Sequence, residues 1–434
     1  MSDFDALLNE RDALVVAFSG GLDSTVLLHQ LRAWQQRHPL SRLRALHVHH
    51  GLSRNADDWA AHCLNVCEQW QIPCDVLRVQ IAEKGQGIEA AARQARYQAL
   101  SQALHEDEKL LTAQHLDDQC ETLLLALKRG SGPAGLAAMP MLTTLAGHPL
   151  LRPLLHHSRL SLEQYADAHQ LTWVEDESNQ DLRYDRNFLR QQLLPAVLSR
   201  WPHFAEATAR SAALCGEQEQ LLDELLAGQL SELIQHDGSL CFTPLLTMSE
   251  AKGNALLRRW LARQGEKMPS REALRRIRQD VMRCREDAQP RLTLGNHEIR
   301  RYRQQLYRLP LSASLTDCEM AWPDLNQPLV LPQNLGVLTS EKNVSTLRSP
   351  QSEEQVFVRF YATGYVHIVN RTGGRDIKKI WQMLNIPPWQ RTRIPLIYFN
   401  QTLISAPGLF VTREGASQDA HGWQVNWQKT TGAP

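Results

Sequence analysis

Residues 13–24 read Ala13-Leu14-Val15-Val16-Ala17-Phe18-Ser19-Gly20-Gly21-Leu22-Asp23-Ser24. An apolar run, Ala13 to Phe18, ends in a serine-glycine turn and passes from Ser24 to Gln35 into helical spacing. Two glycines let the backbone turn tightly with its amides pointing inward, and the helix N-terminus adds partial positive charge, so the turn is suited to an anion. Ser19 and Ser24 add donors. Asp23 repels phosphate unless a divalent cation lies between, which points to magnesium-bound pyrophosphate. The turn has no lysine and no match to G-x-x-x-x-G-K-S/T, so it is not the loop of kinases and GTPases. The plain alternative is a tight turn with Asp23 or Ser24 capping a helix.

Outward from this turn the same alternation repeats. Leu43 to Val48, Asp75 to Ile81 and Lys109 to Thr112 read as strands; Asp57 to Trp70, Ile88 to Leu104 and Asp117 to Lys128 read as helices. The pattern predicts an α/β fold, a parallel sheet flanked by helices with ligands at the carboxyl ends of its strands. Beyond it come an irregular stretch from Glu175 to Asn187, a helical pattern from Ala205 to about Ile234, and a basic helical segment over 251–287. Residues 310–355, rich in Pro, Ser, Thr and Asn, read as a linker or irregular edge, and Val356 to Trp427 leans to β-structure.

Length and composition agree with a multidomain globular chain: 434 residues, 43% hydrophobic and 22% charged, are too many for one ordinary domain and too apolar for disorder. The opening stretch is acidic without an apolar run, and no stretch of about 18 apolar residues occurs, so neither a signal peptide nor a membrane span is expected and a cytoplasmic location is. Eight cysteines, none in a C-x-x-C pair, argue against a zinc ribbon, an iron–sulfur site or a disulfide scaffold. The 47 basic and 47 acidic side chains cancel overall, but residues 251–310 hold 16 Lys and Arg against 6 Asp and Glu. Such segregation suits a polyanion-binding module on a more acidic body, or else a solvated helix face, since many of these charges fall at helical spacing.

A second constellation, His115-Leu116-Asp117-Asp118-Gln119-Cys120-Glu121-Thr122, follows the fourth strand. Asp117, Asp118 and Glu121 gather at one helix end; a capping box from Asp118 to Glu121 is the bland alternative. Arg93 and Arg96 share a helix face and suit a phosphate or leaving AMP, with a surface ion pair the simpler reading for Arg93. His47, His49 and His50 end the second strand, where alternation sends His50 to the opposite face and disfavours a three-histidine metal site. Arg371, Arg375, Lys378, Lys379, Arg391 and Arg393 make a second basic patch beside Trp381 and Trp389. These tryptophans either stack on bases or serve as core, and at least one is expected in the core.

SGGLDS resembles the signature of the PP-loop superfamily of N-type ATP pyrophosphatases, which cut ATP between its α and β phosphates and adenylate a substrate oxygen. Together with HVHHGL, AARQARY, HLDDQCET, KRGSGPAGLAAM, DESNQDLRYDRNFLR and GGRDIKKIWQMLNIPPWQRTRIPLIYFNQTLISAPGLFV, it is similar, in order and over most of the chain, to the tRNA(Ile)-lysidine synthetase family. One departure is His49, where that family usually has Asp. The resemblance implies an adenine nucleotide α-hydrolase-like catalytic domain over 1–200, a helical basic tRNA-binding domain over 201–315, a linker over 316–355 and a small β-rich α+β tRNA-binding domain over 356–434. It implies ATP and Mg2+ as cofactors, and as partners free L-lysine and the isoleucine tRNA with a CAU anticodon, with monomer and homodimer both left open. By the same resemblance Ser19, Gly20, Gly21, Leu22, Asp23, Ser24 and His115 hold the nucleotide, Asp23 and Asp117 the metal, and Asp23, Arg96, Asp118 and Glu121 serve catalysis. Two competing readings are a PP-loop tRNA thiolase, which would need sulfur-carrying cysteines, and a nucleotide-regulated RNA-binding protein without turnover.

Overall fold

The repeated apolar and amphipathic stretches fold as the alternation predicts. The computed structural model describes residues 4–81, 88–265, 269–285, 288–417 and 422–430. They fall in two units, Met1–Leu225 and Leu226–Pro434. In the first, β1 (Ala13–Ala17), α1 (Leu22–Arg37), β2 (Arg42–His49), α2 (Ala56–Trp70), β3 (Cys74–Arg78), α3 (Ile88–Ala103), β4 (Glu108–Leu111) and α4 (Leu116–Lys128) follow in order. A short helix α5 (Pro133–Leu136), a hairpin of β5 (Leu142–Leu145) and β6 (His148–Leu151), and helix α6 (Arg159–Ala168) complete the body.

The sheet order is β3-β2-β1-β4-β6-β5, with every pairing parallel except β5 with β6. As the inner strand, β1 is apolar throughout because both of its faces are covered. Val16, Phe18, Leu14 and Ala45 pack under α1, α2 and α6; Val15, Leu46, Leu110 and Leu150 pack under Leu100 and Tyr97 of α3. The chain runs outward from β1 through β2 to β3 and then returns to the other side of β1 as β4. That reversal opens a crevice at the carboxyl ends of β1 and β4, so the serine-glycine turn after β1 and the His115 segment after β4 face each other. The β5–β6 hairpin, which closes through Ala146 and Gly147 at positive φ, has no counterpart in the sequence reading.

The second unit departs from two sequence expectations. Within 201–315, expected to be helical, the helices Phe204–Leu233, Glu250–Arg263 and Arg271–Arg276 are present, but Arg291–Leu294, His297–Tyr302 and Gln305–Pro310 form antiparallel strands. Leu292, Ile299 and Leu306 are their buried positions; the dense arginines between them obscure a period-two pattern. The stretch 316–355 is no linker. It supplies strand Glu319–Ala321, which pairs with Val356–Arg359, and strand Val337–Leu347, which pairs with Leu329–Val330 on one side and Trp423–Gln428 on the other. Its Trp322, Leu331 and Leu338 share one core with Val358, Phe399 and Trp423. The polar composition there marks turns between short strands whose inward residues remain apolar.

Candidate functional site

The turn after β1 has the backbone that its glycines promise. Gly20 sits at φ +84° and Gly21 leads extended into α1, whose N-terminus no side chain caps. Its first amides are therefore left to a ligand. Ser19 Oγ and Ser24 Oγ lie 3.0 Å apart, and the hydroxyls of Ser24 and Thr25 donate to the Gly21 carbonyl at 3.0 and 2.9 Å. The Gly20 carbonyl accepts from Val174 N at 2.9 Å. A Cβ at Gly20 would stand 2.8 Å from Cys63 Sγ and 3.1 Å from a Val174 methyl. Gly20→Ala therefore forces a left-handed backbone and a collision together; we expect a lower melting temperature and at least a tenfold loss of nucleotide affinity, checked by thermal shift with and without ATP. Leu22, expected among the nucleotide-binding residues, is 2% exposed and belongs to the core, so only its backbone is available to a ligand.

Asp23 Oδ1 and Oδ2 each accept from one Arg159 Nη at 3.0 Å, and His115 Nε2 lies 3.8 Å away. Burial raises the Asp23 pKa, with His115 and Arg159 working in the other direction. His115, 2% exposed, is the N-cap residue of α4 and sits between three carboxylates. Its Nδ1 is 3.3 Å from Asp117 and its Nε2 3.5 Å from Asp118. Burial opposes its protonated form, but Asp117, Asp118 and Asp23 together outweigh burial and raise its pKa. The helix cap is thus His115 with Asp118, whose Oδ2 accepts from His115 N at 3.0 Å, and not the pair Asp118 and Glu121.

Capping releases Glu121 for another task. Completely buried, it accepts from Arg190 Nε at 2.8 Å and from an Arg190 Nη at 3.2 Å, while Asp118 Oδ1 accepts from the same guanidinium at 3.0 Å. Burial pushes the Glu121 pKa up and Arg190 opposes the shift. Asp117 stands apart from this pair. Its Oδ2 accepts from Arg159 N at 2.7 Å; despite burial, its contact with His115 and that amide keep its pKa low. Asp23 and Asp117 therefore meet through His115 and Arg159 and not directly. Arg96 has its pKa lowered by burial and has no carboxylate partner among the described residues; its guanidinium lies 5.7 Å from the Tyr97 ring.

Sequence reading missed Arg159 and gave Arg190 no individual role. Ser158 caps α6 through Ser161 N, a legible helix start that places Arg159 in the first turn, but nothing local reveals that it reaches Asp23. Asn187 is structural: its amide donates to the carbonyls of Ser178 and Asp181 at 2.8 and 2.9 Å and holds the irregular segment in its turn. The histidines of β2 remain separate, His47 against Phe18 O at 3.0 Å and Cys63 at 3.3 Å, His49 against Asp57 at 3.2 Å.

The basic surface divides likewise. Arg259 and Arg278 are buried, 9% and 7% exposed, while Arg263, Arg271, Arg275 and Arg276 are exposed. Trp381 is core against Phe410. Trp389 is half-buried, 5.0 Å from Tyr307 and 6.1 Å from Tyr302, ring centre to ring centre.

Comparison with known proteins agrees with this architecture. Residues 2–197 match the family model of the PP-loop domain, residues 240–307 that of the TilS substrate binding domain, and residues 356–427 that of the TilS substrate C-terminal domain. The chain is 56% identical over 422 residues to the tRNA(Ile)-lysidine synthase of Salmonella typhimurium, covering 97% of this chain and 98% of the relative. It is 56% identical over 424 residues to that of Shigella flexneri, covering 98% of each. Among solved structures, the U34-tRNA thiolase NcsA from Methanococcus maripaludis is 16% identical with a TM-score of 0.42, covering 48% of this chain and 72% of that one, a likeness too slight to argue from. Near-complete coverage at that identity, with all three regions in order, places the chain in the tRNA(Ile)-lysidine synthase family.

Proposed function

We propose that the facing ends of α1 and α4 divide between them the two half-reactions of lysidine synthesis. The chain is an ATP-dependent ligase that modifies the wobble cytidine of the CAU anticodon of tRNA(Ile), forming lysidine. The carbonyl oxygen of the cytosine attacks the α phosphorus and pyrophosphate departs; the lysine ε-amine then attacks the activated ring carbon and AMP leaves. Activation is needed because that oxygen is otherwise a poor leaving group. The product pairs with A in place of G, which changes the codon read from AUG to AUA.

One observation carries the assignment: two acidic sites, Asp23 and the pair Asp118 with Glu121, each hold a cationic side chain and are joined through His115. At the first, the amides of Ser19 to Ser24 take the pyrophosphate, and a magnesium ion fits beside Asp23, a carboxylate at an anion-binding turn that already attracts positive groups. Bound there, with Asp117 as a further oxygen donor, it would supply charge neutralisation of the phosphates. At the second, Asp118 and Glu121 hold the lysine side chain, and Glu121, with its raised pKa, accepts the proton that the ammonium must lose to become a nucleophile. Arg96, a cation with no carboxylate partner among the described residues, would neutralise the transferred phosphoryl group. His115 lies within reach of both sites and keeps their carboxylates in register. We place the reaction in the cytoplasm, where ATP, free lysine and tRNA meet.

The direct test is incubation with ATP, labelled lysine and unmodified tRNA(Ile). Label is expected in the RNA; none, with a folded and ATP-binding protein, rejects the reading. For the tRNA surface, the buried Arg259 is a poor probe, and the exposed pair Arg263 and Arg271 is the better one. Reversing both charges (R263E, R271E) is expected to weaken tRNA binding about tenfold or more and to flatten its salt dependence by about two charges, with ATP affinity unchanged. Filter binding across a salt series reads this.

A further inference from the structure

The catalytic unit holds more positive charge than its nucleotide chemistry uses. Arg93 and Arg96 lie 5.2 and 5.7 Å from the centre of the Tyr97 ring. Arg152, 6% exposed, has Tyr97 as a hydrogen-bonding neighbour, donates to the Pro140 carbonyl at 2.7 Å and leaves its Nε buried without a partner. Arg186 donates to Thr122 Oγ1 at 3.4 Å. No ion pair joins any of the four to a carboxylate among the described residues. Glu121 feels the charge of Arg186, but Arg190 already engages that carboxylate twice. Burial lowers the pKa of both Arg96 and Arg152, and Arg93 adds to the effect on each. Like charges so gathered repel unless an anion comes between them.

That anion is not the pyrophosphate held by the serine-glycine turn. Tyr97 packs on the face of the sheet that carries Val15, whereas Leu22 and α1 pack on the face that carries Val16, and neighbours in a strand point to opposite faces. One phosphoryl group, already assigned to Arg96, does not require three further guanidiniums. Arg93 is exposed at the rim, open to a macromolecule.

We propose that Arg93 and Arg152, beside Tyr97, and Arg186, near enough to Arg96 to repel it, form a phosphodiester site that grips the RNA backbone beside the cytidine being modified. This rests on the tRNA reading above. It gives the catalytic unit a hold of its own on the anticodon strand, supplied by residues other than the basic segment 251–310. Bidentate guanidiniums suit a phosphodiester, and the Tyr97 ring lies beside that of Arg93.

The test uses the full-length protein and tRNA(Ile) carrying a neutral methylphosphonate linkage on one or the other side of the wobble cytidine. With native tRNA, R93A is expected to weaken binding about five- to tenfold and to reduce the salt slope by about one charge, with the KM for ATP unchanged. A neutral linkage at the gripped position is expected to weaken binding to the wild type by a similar factor and to have no further effect on R93A. Additive losses, or a loss of ATP affinity in place of tRNA affinity, would overturn the site. If R93A alone has no effect, R93A/R186A must show the loss, and unchanged tRNA affinity in that double variant would also overturn it. Lysine incorporation by the wild type is measured first on the same RNA; its failure would reject the reaction, while the affinities still report on the site.

Discussion

Asp23→Asn is expected to lower lysidine formation by about a thousandfold or more while the protein stays folded. Single electrostatic groups aimed at charge developing in a transition state are commonly worth two to three powers of ten, and Asp23 is proposed to hold the metal beside the pyrophosphate. The variant keeps the shape of the side chain and loses its charge. Because Asp23 and Arg159 are 26% and 39% exposed in their side chains, solvent screens the pair and little stability should go with it. Circular dichroism and melting temperature should therefore stay near wild type while pyrophosphate release disappears. Near-normal turnover would defeat the role given to this carboxylate.

Glu121→Gln should separate the half-reactions. Adenylation, read as pyrophosphate release in a single turnover with tRNA present, should persist at reduced rate, whereas transfer of lysine should fall by at least a hundredfold, with the KM for lysine raised. The change leaves Arg190 facing Asp118 alone. Since removing one partner of a buried pair is costly, a lower melting temperature is expected, and the pyrophosphate measurement distinguishes that effect from loss of lysine binding. A pH dependence follows in the wild type. Burial raises the Glu121 pKa, so its charged form is lost, as pH falls, at a higher pH than for an ordinary glutamate. The acid limb of kcat/KM for lysine should be displaced upward accordingly and should disappear in Glu121→Gln. Equal loss of both half-reactions, with an unchanged pH profile, would count against a lysine-specific role.

The parts of the site that could be read beforehand were those with local causes. A tight turn needing Gly20, a helix start near Ser24, and carboxylates three and four residues apart on α4 are properties of short segments, and their spacing is visible without a fold. Leu22 shows the limit of this reading: the motif includes it, yet its side chain is core. The strands of 291–310 show another limit, since charge at the outward positions concealed the alternation that places Leu292, Ile299 and Leu306 inside. Arg259, drawn into the basic patch by helical spacing, proves buried because spacing alone does not say which helix face meets the core.

By itself the sequence determined the order of strands and helices from β1 to α4, the parallel sheet they form, the anion-binding turn and the acidic segment after β4, because hydrophobic period and turn chemistry act over a few residues. Only the tertiary structure decided which cations answer those acids. Arg159 is 136 residues from Asp23 and Arg190 is 69 from Glu121, and the choice of these arginines over many others depends on how the return of the chain as β4, and the later helices, close over one crevice. Long-range pairing is set by packing, and no local pattern of residues encodes it.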